Sequence, residues 1–189
     1  MAGRRDEVLE AAVRVLGTGG PRRLTYQAVD AAAGVPNGTT SNHFRSRALL
    51  IEGIVTHIRQ LDAQDWERFA AAPAPRGPEG MAAALARTVR HVLGPARHRT
   101  AARYALALES VASPEVREHL ARAQDRLLEL TAGRLRELGS PTPLEHCRML
   151  FDYLDGVIFH GIVRGEEDRD VEPGIRVLLR AFLADTAAR

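Results

Sequence analysis

The stretch LTYQAVDAAAGVPNGTTSNHF, residues 24–44, constrains the fold of this chain more than any other. Ala28, Val29 and Ala32 fall on one face of a helix over 25–33, with Thr25 placed to cap its start. Gly34 then supplies a left-handed turn, and Pro36 suits the opening of a second short helix over 36–43. That second helix is polar outside, offering Asn37, Thr39, Thr40 and Asn42, while Gly38 keeps one side low. Two helices joined this way predict a helix-turn-helix, in which the second helix enters the major groove of double-stranded DNA. Asparagine amides can pair bidentately with adenine, and a threonine methyl can meet the methyl of thymine.

The rest of the chain reads as helix too. Val8, Leu9, Ala12, Val13 and Leu16 form one helical face that stops at GTGGP. Ser46 is placed to cap a longer helix, and APAPRGP, residues 72–78, is the clearest linker. Five helical segments follow, of which the fourth opens with Thr142 and Glu145 at capping-box spacing. No run of alternating apolar residues argues for a sheet. The fold class expected is all-α, with an N-terminal three-helix helix-turn-helix domain over 1–50 and a helical ligand-binding and dimerisation domain over 51–189.

Charge separates the same two parts. Every one of the 26 basic residues is arginine. Residues 1–50 hold seven arginines against four acidic residues, a balance of +3, and residues 51–189 balance at −1. A basic segment joined to a near-neutral bulk fits one part that meets a polyanion and another that does not.

LTYQAVDAAAGVPNGTTSNHFRSRALL resembles the DNA-binding domain of the TetR (tetracycline-repressor-type) family of bacterial transcriptional regulators. The likeness lies in the leading threonine, Ala-Gly-Val at the turn, Gly38-Thr39, and His43-Phe44 followed by Ser46, a basic residue and Leu50. It extends over about the first 55 residues. The resemblance, with helix geometry, implies that Thr25, Tyr26, Gln27, Asn37, Gly38, Thr39, Thr40, Ser41, Asn42, His43 and Arg47 line the DNA interface. Ser41 stands where the family usually has a phosphate-reaching tyrosine, Thr40 where leucine is common, and Arg47 where lysine is common. Arg45 and the arginines of the first helix are further candidates for phosphate contact.

A helix-turn-helix of this size reads few base pairs alone, so a homodimer on a palindromic operator is expected. Its expected surface is residues 142–164 and 174–187, the most apolar segments, where Gly156 and Gly161 would let backbones approach. The resemblance points the same way. A small-molecule inducer, hydrophobic or aromatic, is expected among Leu85, Val89, Leu106, Leu127, Phe151, Leu154 and Ile158. His91, Tyr104, Glu109 and His160 are the polar groups that could orient it.

Catalysis is not expected, because no nucleophile stands beside a base and no glycine loop cradles phosphate. No cofactor or metal is expected either. Glu115 with His119, and Glu145-His146-Cys147, lack the repeated Glu-x-x-His of a di-iron bundle, and Cys147 reads as a buried, inert thiol. An all-α metal-binding or enzymatic bundle with no operator is the alternative, and a ligand-independent architectural DNA binder a third reading. The lone cysteine, the charged N-terminus and the short apolar runs predict a cytoplasmic protein with no membrane partner.

Overall fold

The structure is a computed structural model that describes residues 3–71, 75–110, 127–166 and 169–184, with only the backbone of residues 66, 68–71, 109 and 110. Every regular element among the described residues is a helix. The elements are α1 (Arg4–Gly19), a 3-10 turn (Pro21–Arg23), α2 (Tyr26–Ala33), α3 (Thr39–His43), α4 (Arg47–Ala71), α5 (Gly77–Leu93), α6 (Arg97–Ser110), α8 (Pro143–Arg164) and α9 (Glu172–Ala184). Between α6 and α8, residues 127–137 are helical and are called α7.

The chain forms two compact units. The first comprises Met1–Ala72 with Ala96–Ala121, and the second Pro73–Pro95 with Arg122–Arg189. In the first, the apolar face of α1 is buried as its spacing predicts, with Val8, Leu9, Ala12, Val13 and Leu16 almost without exposure. These residues share one cluster with Val29, Phe44, Leu50, Ile54, Ile58, Ala102 and Leu106. Arg99 of α6 adds a polar clamp, donating to Asp65 and lying 3.1 Å from Asp62, both on α4. The clamp joins two helices of one unit.

In the second unit, Leu85 and Val89 of α5, Leu135 of α7, Leu150, Leu154 and Val157 of α8, and Ile175, Leu179 and Phe182 of α9 make a separate core. His146 is buried there, stacked 4.3 Å from the Phe182 ring, with Ser140 Oγ 2.8 Å from its Nδ1. Cys147 is fully buried, and burial pushes its thiol up to about 11, which leaves it protonated and unreactive near neutral pH. Thr142 precedes α8 but makes no side-chain cap bond, contrary to the capping-box expectation; its carbonyl accepts from the His146 amide instead.

Candidate nucleic-acid interface

The helix-turn-helix is built around one buried acid. α2 begins as its sequence predicts, with Thr25 Oγ1 accepting from the Ala28 amide at 3.2 Å. It ends at Gly34, whose φ of 66° and ψ of 32° are left-handed and suit glycine. The apolar face differs from expectation. Val29 is buried, but Ala32 is exposed, and the fully enclosed neighbour of Val29 is Asp30. Its Oδ2 accepts from the Gly38 amide at 2.8 Å, while Oδ1 accepts from the Thr40 amide at 2.8 Å and the Thr40 hydroxyl at 2.5 Å.

This carboxylate does what a cap does, from a different helix. Gly38 lies at φ 93°, so a helix cannot run through it, and α3 begins at Thr39 rather than at Pro36. The first amides of so short a helix have no partner within it. Asp30 supplies one, and its charge also suits the positive end of the helix. Burial alone would raise its pKa. The bonds from the Thr40 side chain, the Thr40 amide and the Gly38 amide outweigh that, and its pKa lies below the ordinary 3.8.

Thr40, expected on the DNA interface, lies inside instead. It has no exposed surface, and both its donors go to Asp30, so it fixes α3 from inside and has nothing to present to a base. The other residues expected at the interface remain at or near the surface. Gln27, Asn37, Asn42 and His43 are exposed, and Tyr26, Gly38, Thr39 and Ser41 are half-buried. Thr39 donates its hydroxyl to the Pro36 carbonyl at 2.6 Å and Ser41 to that of Gly38 at 2.9 Å. Their oxygens keep lone pairs for outside donors. Thr25, whose oxygen serves the cap, keeps its hydroxyl proton for an outside acceptor.

At the end of α3 the chain turns extended at Phe44, which plunges into the core with 3% exposure. It lies against Gly53 of α4, where a Cβ would come within 2.7 Å of Phe44 Cε1. The Arg5 guanidinium covers its ring at 5.2 Å. Ser46 caps α4 as expected, accepting from the Leu49 amide. Arg47, also expected to face phosphate, points its guanidinium at the chain itself: Nη1 donates to the Leu24 carbonyl at 2.8 Å and Nη2 to that of Pro21 at 3.0 Å. His57 is biased toward its neutral form. Burial, the largest influence, lowers its pKa from 6.5 despite Asp6 and Glu10 nearby.

The residues expected to hold a ligand fall into two groups. Leu85, Val89, Phe151, Leu154 and Ile158 come together in the second unit, and His91 is half-buried on α5 beside them in sequence. Leu127 is half-buried in α7, and His160 is exposed on α8. Tyr104, Leu106 and Glu109 belong to α6 of the first unit, where Leu106 is core and the Glu109 side chain is outside the described residues. Glu115 and His119 also lie outside them. Among the described residues no group of three metal-ligating side chains is found, and no helix is long and apolar enough to cross a membrane.

A polar five-residue helix bonded to a second helix through one buried carboxylate, among described residues whose regular elements are all helices, makes a helix-turn-helix, the DNA-reading element of transcriptional regulators. Residues 8–54 match the model for bacterial regulatory proteins of the tetR family, and residues 76–185 match the tetracyclin repressor-like C-terminal domain. The chain belongs to the TetR family. A transcriptional regulator from Rhodococcus sp. Rha1 shares the fold at a TM-score of 0.79, with 18% identity over 97% of both chains. A TetR-family member from Streptomyces coelicolor A3 is 28% identical, with a TM-score of 0.69 over 96% of this chain and 99% of that one. The multidrug binding protein EbrR, complexed with ethidium, is also 28% identical, with a TM-score of 0.68 over 96% and 99%. No curated protein matches.

Proposed function

We propose that the protein is a repressor that binds a palindromic operator as a homodimer and leaves it when a hydrophobic or aromatic small molecule binds its second unit. The observation that carries the DNA half is the Asp30 clamp. It holds α3 rigidly while leaving Asn37, Asn42 and His43 outside. Base readout needs side chains held on a rigid backbone, because an amide must meet two base atoms at once. Asn37→Ala is expected to cost roughly 1–3 kcal/mol on the operator and much less on random duplex. Equal losses on both, measured by fluorescence anisotropy, would remove Asn37 from base reading.

The dimer reading rests on what α8 and α9 leave uncovered. Met149, Phe159 and Val163 of α8, with Val177 of α9, are large apolar side chains exposed by 44–68%. Met149, Gly156 and Val163 follow one another at seven-residue spacing along one face of α8. A Cβ at Gly156 would meet none of the described residues within 4 Å, whereas one at Gly161 would strike Leu93. Gly161 thus serves packing inside the protomer, and Gly156 is left for close approach of a second copy. Pairing these helices across a two-fold axis gives a four-helix bundle.

For the ligand, the support is the apolar character of Leu85, Val89, Phe151, Leu154 and Ile158, together with likeness to EbrR. That protein, 27–29% identical, is seen with proflavin, ethidium and malachite green, all aromatic dyes. Release would be a population shift: a ligand favouring the conformation that cannot span two half-sites draws the dimer off DNA. Linkage makes this testable with tetraphenylphosphonium, an aromatic probe that does not intercalate. Its affinity should fall in the presence of operator by the factor by which it weakens DNA binding. Equal affinity with and without operator would show that it does not act as an inducer.

A further inference from the structure

We infer, on the reading that the first unit binds DNA, that Arg47 is a positioning residue and that Arg22 and Arg23 carry the phosphate contacts of the turn it holds. A basic residue at the start of α4 is the obvious candidate for phosphate. In this chain its guanidinium, though the residue is exposed, is bonded back to the chain, with one nitrogen on the Leu24 carbonyl and the other on that of Pro21. The planar fork of arginine can span two carbonyls at either end of a short turn, a geometry a lysine ammonium cannot copy. The turn between them is Pro21–Arg23, closed by the Leu24 amide on the Pro21 carbonyl at 3.3 Å.

The turn is held on its other side too. The stem of Arg23 lies across Gly19, where a Cβ would come within 2.7 Å of both Arg23 Cβ and Cγ. Arg22 and Arg23 are exposed, and among the described residues neither has a carboxylate within ion-pair distance. The arginines of α1 contrast with them. Arg4 pairs with Glu7, Arg14 lies near Glu10, and Arg5 covers Phe44. Arg22 and Arg23 thus put two exposed charges with no ion pair on one held turn shortly before Thr25 and the start of α2, and Arg45 is a further exposed arginine of the first fifty residues without one. Arginine presented on a rigid backbone meets phosphate with less entropy lost than on a mobile one.

The test is a double-mutant cycle on the full-length protein, read as the salt dependence of binding to a palindromic duplex selected from a random library. Two contacts in each protomer correspond to a loss of roughly 3–4 released counterions per dimer for Arg22→Ala/Arg23→Ala. Arg47→Ala alone should also flatten the slope, because the turn is released. In the Arg22→Ala/Arg23→Ala background, Arg47→Ala should change neither the affinity nor the slope further. A further drop of about one counterion per protomer in that background would make Arg47 itself the contact and overturn the inference. An unchanged slope for Arg22→Ala/Arg23→Ala, whose side chains are exposed and whose folding can be checked by circular dichroism, would overturn it as well. If wild-type protein enriches no duplex, the DNA-binding reading fails and this inference falls with it.

Discussion

Asp30→Ala is expected to abolish specific DNA binding and to lower the unfolding temperature by roughly 6–12 °C, the equivalent of about 3 kcal/mol in a chain of this size. The substitution removes the acceptor for two amides and one hydroxyl at once. Buried donors left without a partner cost more than the bonds were worth. DNA binding should suffer more than stability, since the groups released are the ones that start α3. Asp30→Asn should fall between, because its amide keeps one acceptor oxygen but turns an NH2 toward another donor. The pH dependence has a definite sign. The pKa of Asp30 is lowered on folding, so its stabilisation is complete above the ordinary carboxylate range and is lost as pH falls through its folded value. Asp30→Asn should lack that component of acid unfolding. Wild-type operator affinity in Asp30→Ala would show that the clamp does not place α3.

Phe159→Glu/Val163→Glu is expected to convert a dimer into monomers at micromolar concentration, with association weakened at least about 100-fold, or roughly 2.7 kcal/mol. Both side chains are already exposed in the protomer, so the change should leave its core intact. In a two-fold interface each new carboxylate also faces its own copy or a close neighbour, which multiplies the repulsion. Gly156→Leu is the complementary variant. A Cβ there meets none of the described residues within 4 Å, and the leucine side chain would hold two α8 helices apart. Sedimentation equilibrium reads both. A dimer that survives both variants must use another surface.

The fold was legible in the sequence because its helices are amphipathic and punctuated. Val8 through Leu16 kept the periodicity that buried them, and Gly34 took the left-handed turn that only its position demanded. What escaped was polar. Asp30 looks like a solvent-facing residue in an alanine-rich helix, since periodicity weighs apolar residues and cannot show which amides eight or ten positions later will need an acceptor. The one available signal was the pairing of Asp30 with Gly38-Thr39-Thr40, a turn with donors and no local cap. Thr40 is ambiguous for the same reason: its hydroxyl reads as surface while its place, where the family commonly has leucine, reads as core, and only its partner decides. Arg47 shows the limit of residue type as a guide to role. Its charge suggested phosphate, while the direction of its guanidinium depends on carbonyls 23 and 26 residues earlier.

The most direct measurement is selection of duplexes from a random-sequence library by the full-length protein, followed by footprinting of the enriched pool. The expected product is a two-fold symmetric sequence, its half-sites about one helical turn or a multiple apart, each protected in the major groove. The same duplex should lose its advantage over random DNA for Asn37→Ala and Asp30→Ala. Enrichment of a single asymmetric site, or of none, would contradict a dimer that reads DNA through α3.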